Sequence, residues 1–316
     1  MITRPRKIHL DTDLAGDPDD LCALAMLLGW PDVEIVAITT SDDPGGRRAG
    51  YVTYCLALAD RGEIPVAGGV AASLTTMRSC GEIPDDRRYW PQRVQPRPSP
   101  PGAAVDLLDQ SIQQGAAIVA IGPFTNLALL EVARPGRLRQ VPIVAMGGYA
   151  APTDKGLPPW GPEQDWNVQC DTRAAETLIG SASDLTLVTL AQTLKTHLRQ
   201  AHLPRLRGSG RLGVLIANQA EAHGQDQGND RLGRAHARLP SDLLNFHHDP
   251  LACAVAAGWS GTKVESMRVL PVRDAELLRL QSDPNGQPVN VLVAFDEAGF
   301  SETWLRAVEK AQLTVE

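Results

Sequence analysis

The sequence predicts an α/β fold: a mostly parallel central sheet with helices on both faces, in one domain spanning residues 1–316. Three observations carry this. Short β-rich runs alternate with helix-length runs along most of the chain. Several strand-like runs are almost wholly apolar and bounded by Gly and Pro, as parallel strands covered on two sides are. Polar residues collect just after these runs, at the carboxyl ends where such sheets bind ligands.

Taken in order, "KIHLDT" (7–12) reads as a strand and "DDLCALAMLLG" (19–29) as a helix opened by Asp and stopped by Gly29. "VEIVAITT" (33–40) is a second strand and "GRRAGYVTYCLALADRG" (46–62) a second helix. "AAIVAIG" (116–122), "VPIVAMGG" (141–148) and "DLTLVTL" (184–190) are further buried strands. "YWPQRVQPRPSPPG" (89–102) is Pro-rich and expected to be an extended surface loop. The polar, weakly periodic 221–242 segment is expected to be mobile and near a site. Residues 267–296 read as strands joined by an Asp-Pro-Asn-Gly turn.

Composition narrows the function. Hydrophobic residues make up 43% and charged residues 21%, enough for a packed core and against disorder. A net charge of −7 without a Lys/Arg block argues against nucleic acid or an anionic membrane as partner. The five cysteines are scattered without a C-x-x-C, the usage of buried thiols in a reducing cytoplasm. "MITRPRK" lacks the apolar core of a signal peptide, and no apolar run approaches the roughly 18 residues of a membrane span.

One stretch demands an explanation. Asp11, Asp13, Asp17, Asp19 and Asp20 fall within ten residues, between the first strand and its helix. Clustered carboxylates repel, and burial worsens it. Helix capping accounts for Asp19 or Asp20 but not for Asp11 and Asp13. An EF-hand loop starting at Asp11 fails, because Ala15 and Cys22 stand where oxygen ligands belong. The "DxD" also resembles haloacid dehalogenase phosphatases, with Ala15 in place of their Thr or Val. A hard-cation site is the remaining reading, and Ca²⁺ suits irregular oxygen coordination. Such a site recruits distant acidic groups, and His247-His248-Asp249 before the apolar run 250–258 is the candidate.

Together these blocks resemble the inosine–uridine-preferring nucleoside hydrolase family. "DTDLAGDPDD", "VAITTSDD", "AIGPFTNLAL", "VAMGG", "DWNVQCDTRAA" and "HHDPLA" match its motifs in order over nearly the whole chain. The resemblance implies a nucleoside hydrolase-like fold with an open Rossmann-like core, a Ca²⁺ cofactor, a small nucleoside substrate and a homodimer or homotetramer. It implies that Asp13 ligates Ca²⁺ and serves as base for the attacking water. Asp20, Asp249 and the backbone carbonyl of Thr125 complete the metal shell. Asp19 and Asn167 bond ribose hydroxyls, Met146 lies by the sugar, and His248 assists the departing base. His247 is its local rival at the substrate; His223 and His236 are more distant ones. Asp165 and Trp166 stand where the family has Glu and Phe, both expected at the substrate. "SDDPGG" replaces a Gly-Asn, so a ribose contact is either missing or supplied by Asp42 or Asp43. The reaction expected is N-glycosidic hydrolysis to free base and ribose; a non-catalytic nucleoside- or ribose-binding protein is the alternative from another class.

Overall fold

The computed structural model describes residues 5–83 and 86–312. Nine strands form one sheet, in the order β10-β9-β11-β6-β5-β4-β1-β2-β3. In chain order these are β1 (Arg6–Thr12), β2 (Val33–Thr40), β3 (Val66–Gly68), β4 (Ala117–Ala120), β5 (Ile143–Met146) and β6 (Leu185–Val188). After the separate pair β7 (His197–Arg199) and β8 (Leu243–Phe246) come β9 (Thr262–Asp274), β10 (Leu277–Ser282) and β11 (Gln287–Phe295). Strands β1 to β6 pair in parallel, and β11 joins β6 in parallel. β9 pairs antiparallel with β11 and β10, so these three strands extend one edge of the sheet, and the Asp-Pro-Asn-Gly turn links β10 to β11 across β9 rather than closing a hairpin.

Strand alternation puts two cores on the two faces. Val119, Ile121, Val144 and Met146 pack on one side with helices Asp19–Leu28, His248–Ala256 and Glu297–Lys310. Ile118, Ala120, Ile143 and Ala145 pack on the other with helices Ala103–Gln113, Thr125–Ala133 and Thr172–Ser181. This is the period-2 arrangement of a sheet covered on both sides.

The strand order reverses at β1. The chain runs β1, β2, β3 outward on one side, then returns to lay β4 against the other side of β1. The crevice between the carboxyl ends of β1 and β4 is therefore the switch point where open α/β sheets bind ligands. The backbones approach closely there: a Cβ on Gly122 would meet Asp13 N at 2.8 Å, so only Gly fits. Asn126 ties the strand ends together. Its Nδ2 donates to Asp11 Oδ1 (2.8 Å) and to the Thr40 carbonyl (2.9 Å).

One expectation is corrected, and another is given its local structure. Residues 89–102 are irregular but not all on the surface: Tyr89, Trp90 and Val94 are buried, and Trp90 stacks on Tyr51 at 4.2 Å between ring centroids. Helices Arg211–Gln227 and Asn229–Ala235 occupy most of 221–242. The polar residues Gln225, Asp226 and Gln227 are exposed on the helix, while Gly224 packs against Leu244. Polarity there marks a solvated helix face.

Candidate active site

A cavity of about 760 Å³ opens at the carboxyl ends of the parallel strands. It is lined by Asp13, Asp19, Asp20, Met146, Asp165, Trp166, Asn167, His248 and Asp249 among others, so most of the residues singled out from the sequence share one wall.

Local structure explains their placement. Positions 11 and 13 would share a face if β1 continued, but the strand ends at Thr12, so Asp11 stays packed on the sheet against Thr39 and Asn126 while Asp13, past its end, reaches the cavity. Asp11 is fully buried between Thr39 (2.5 Å) and Asn126, and burial raises its carboxyl to about 7. The 19–28 helix begins after Pro18, with Asp19 and Asp20 in its first turn, where the helix dipole favours negative charge. Neither Asp is the N-cap; Asp17 Oδ1 accepts the Asp19 backbone N–H at 3.2 Å instead. On the far side, β8 delivers the 248–256 helix with Asp249 in its first turn.

Asp19, Asp20 and Asp249 each aim a carboxylate oxygen to within 4.8 Å of the other two. All three are buried. Burial, and then their mutual repulsion together with that of Asp13 and Asp17, pushes all three carboxyls well above the usual range. Thr12 Oγ1 is the hydrogen-bond donor that steadies Asp20. A buried, self-repelling, oxygen-only donor set fits a hard divalent cation. Asp13 sits beside them, raised by burial and lowered by Arg48.

Asn167 Nδ2 donates to the carbonyls of Ile121 (2.9 Å) and Met146 (3.1 Å), which fixes the amide at the cavity wall. Asp165 accepts from Gly148 N (2.5 Å) and Val168 N (3.3 Å), capping the short 166–170 helix; burial raises it to about 6. Trp166 is 52% exposed at the rim. His248 Nδ1 lies 2.7 Å from Thr193 Oγ1, which leaves Nε2 for the cavity, and burial lowers the imidazole to about 4.

Several sequence-based expectations are not met. Thr125 does not line the cavity. It opens the 125–133 helix, and its Oγ1 donates to Asp171 (2.8 Å); the residue that the end of β4 presents to the cavity is Ile121. His247 faces away from the substrate side. It is fully buried, its ring 4.3 Å from that of Trp304, and neither ring nitrogen has a hydrogen-bond partner. Neither Asp42 nor Asp43 lines the cavity, and Arg48 does. Of the distant histidines, His223 lines the cavity, 3.7 Å from Asp17, whereas His236 does not. Arg48 and Ile121 line the cavity but were missed by sequence reasoning: one looks like an exposed helix residue, and the other meets Asn167 through its backbone carbonyl.

Comparison with known proteins agrees with the geometry. The family described as Inosine-uridine preferring nucleoside hydrolase matches residues 8–302. The pyrimidine-specific ribonucleoside hydrolase RihA of Salmonella paratyphi C (strain RKS4594) is 29% identical over 248 residues, 75% of each chain. Among solved structures, a plant nucleoside hydrolase, the PpNRh1 enzyme, superposes with a TM-score of 0.78 at 21% identity, covering 96% of this chain and 99% of that one. The purine-preferring ribonucleoside hydrolase from Gardnerella vaginalis gives 0.78 at 22% identity, covering 98% of this chain and all of that one. The chain belongs to the inosine–uridine-preferring nucleoside hydrolase family and is an N-glycosyl hydrolase of ribonucleosides.

Proposed function

We propose that the protein is a Ca²⁺-dependent nucleoside N-ribohydrolase, with Asp13, Asp20 and Asp249 as side-chain ligands. The observation that carries this is the buried convergence of Asp19, Asp20 and Asp249, with the Asp13 carboxylate close enough to repel Asp20 and Asp249, at the switch point of a family member. The carbonyl of Ile121, at the cavity end of β4, replaces that of Thr125 as the proposed main-chain ligand. When bound, the ion supplies Lewis-acid chemistry at the sugar end of the cavity.

The chain's own residues divide the remaining work. Asp13 takes the proton of the attacking water. Asp19 and Asn167 orient the ribose through its hydroxyls, with Met146 against the sugar. The surrounding carboxylates stabilise positive charge developing on the ring as the glycosidic bond breaks. His248, oriented by Thr193, hydrogen-bonds the departing base. Asp165 and Trp166 form the wall beyond the sugar, and Asp165 also fixes the loop at Gly148.

The base is the open variable: one relative is named pyrimidine-specific and another purine-preferring. Incubation with a panel of purine and pyrimidine nucleosides, and of nucleotides, tests the reading. Free base and ribose are expected. Inorganic phosphate would identify a phosphatase, and binding without turnover a sensor.

The same proposal takes residues 1–316 as one hydrolase domain, supported by a sheet that draws strands from both halves of the chain. It places the enzyme in the cytoplasm, supported by five free cysteines. Among the described residues no helix is long and apolar enough to cross a membrane. Assembly as a homodimer or homotetramer, without nucleic acid or membrane, completes the reading; light scattering measures the assembly.

A further inference from the structure

The "SDDPGGRR" segment after β2 has a purpose that neither of its aspartates performs at the cavity. Asp43 accepts from the backbone N–H groups of Arg48 (2.7 Å) and Ala49 (3.0 Å) and from the Thr40 hydroxyl (2.7 Å), and so holds the start of the 47–58 helix. Gly45 and Gly46, at φ 69° and 75°, make the turn that presents it. Asp42 adopts a left-handed conformation at φ 48°, uncommon outside Gly, and its Oδ1 accepts from Cys80 N at 2.9 Å. Its carbonyl accepts from Arg48 Nε (2.7 Å) and its Oδ2 lies 3.3 Å from Arg48 Nη2. The third guanidinium nitrogen crosses to the residue just past β1. Arg48 Nη1 donates to the carbonyl of Asp13 and lies 3.9 Å from Asp13 Oδ2. The Arg48 side chain is 6% exposed and lines the cavity.

We propose that Arg48 is a positioning residue that fixes Asp13, main chain and carboxylate together, in the orientation the metal site requires. The inference rests on the Ca²⁺-dependent hydrolase reading above. A planar guanidinium presents donors in fixed directions and meets acceptors on two segments at once; an ammonium is a point charge on a flexible stem. Asp42 and Asp43 then serve to aim Arg48, and the strained Asp42 backbone is held by the contacts it makes.

Charge and position predict opposite signs, which makes the test sharp. If Arg48 acted only by its charge, removing it would tighten binding of a cation, and Arg48→Lys would behave as wild type. Positioning predicts that Arg48→Ala and Arg48→Lys both bind Ca²⁺ about tenfold or more weakly, the usual range for a group that orients a ligand. The probe is CaCl₂ titrated by calorimetry into metal-stripped, full-length protein, with circular dichroism to verify folding. Guanidinium chloride at low millimolar concentration should restore much of the affinity of Arg48→Ala, and methylammonium should not. Asp42→Asn, which keeps Arg48 but weakens its seat, should fall between wild type and Arg48→Lys, and serves if the others do not fold. Saturated with Ca²⁺, Arg48→Lys should lose kcat while KM stays within about threefold. Unchanged or tighter Ca²⁺ binding in Arg48→Ala or Arg48→Lys overturns the proposal. Absence of any nucleoside turnover by wild type would instead overturn the hydrolase reading, and the titration would still decide the role of Arg48.

Discussion

Two groups of carboxylates lie side by side, one lining the cavity throughout and the other reaching it only through Asp13, and they differ in how their charge is answered. Asp13, Asp42 and Asp43 surround Arg48, a cation the chain carries itself. Asp19, Asp20 and Asp249 crowd together with no ion pair of their own among the described residues, Asp20 feeling Arg48 only from a distance, and each is held far above its ordinary range by burial and repulsion. Ordinary folding avoids the second arrangement, since like charges in a low dielectric destabilise the native state. A resident guanidinium suits groups that must stay in place, Asp13 among them; the crowding of Asp20 and Asp249 beside it suits a cation that enters from solution, with Asp19 left for the substrate.

The largest expected effect breaks the open cluster. Asp20→Ala and Asp249→Ala should each lose copurified calcium and lower kcat/KM at least about 10⁴-fold, because a whole ion's contribution disappears rather than one donor's. Elemental analysis checks this, and full calcium content in both variants would break the assignment. Next comes the neighbour of Asp249. His248→Ala should slow inosine or uridine hydrolysis by about 10²–10⁴-fold, yet barely touch p-nitrophenyl riboside, whose leaving group needs no proton. Equal slowing of both substrates would make His248 a structural or sugar-binding residue.

A smaller effect isolates burial from clustering. Asp165 is raised to about 6 by burial without a close acidic partner. A carboxyl raised on folding contributes stability that is full below about pH 4 and lost as pH climbs through about 6. Asp165→Asn stays neutral, so its stability relative to wild type should improve by up to about 3 kcal/mol from pH 4 to 7, at about 1.4 kcal/mol per unit. Urea unfolding at the two pH values measures it; a pH-independent difference would remove Asp165 from the list of proton-loving groups. The smallest effect concerns the sugar. Asp19→Asn should cost ribosides about 1–3 kcal/mol of transition-state binding, the range for an unpaired buried polar group. It should leave 2′-deoxyribosides, already slow, nearly unchanged, and a parallel fall for both would place Asp19 elsewhere.

Much of this was legible in the sequence, for identifiable reasons. Side-chain chemistry at fixed spacing survives as a motif, so Asp13, Asp19, Asp20, Asn167 and His248-Asp249 could be picked out before any fold was known. Strands β1 and β2 were legible because their patterns are strong, and β2 has the expected bounds. Backbone atoms leave no such trace. Ile121 and Thr125 sit four positions apart in one motif, and only the start of the 125–133 helix after β4 decides which of them faces the cavity. His247 and His248 are chemically identical, and the bend from β8 into the 248–256 helix separates them. Arg48 was hidden for another reason. An arginine opening a helix ordinarily points to water, and its partner Asp13 is 35 positions away.

The C-terminal helix has a consequence for how the enzyme is made. Trp304 Nε1 donates to the carbonyl of Cys22, 282 positions earlier, in the helix that carries Asp19 and Asp20. Its ring also packs on His247, next to His248 and Asp249. One late residue thus braces both banks of the carboxylate cluster. During synthesis the aspartates of the first helix leave the ribosome long before Asp249 and Trp304 exist. At the usual 5–20 residues per second, an acidic half-site waits for tens of seconds at the slower rates before Asp249 is made. Closure is a long-range event, of the kind that makes folding slow and early intermediates open, and the proposed ligand set is braced on both sides only once the last helix has docked.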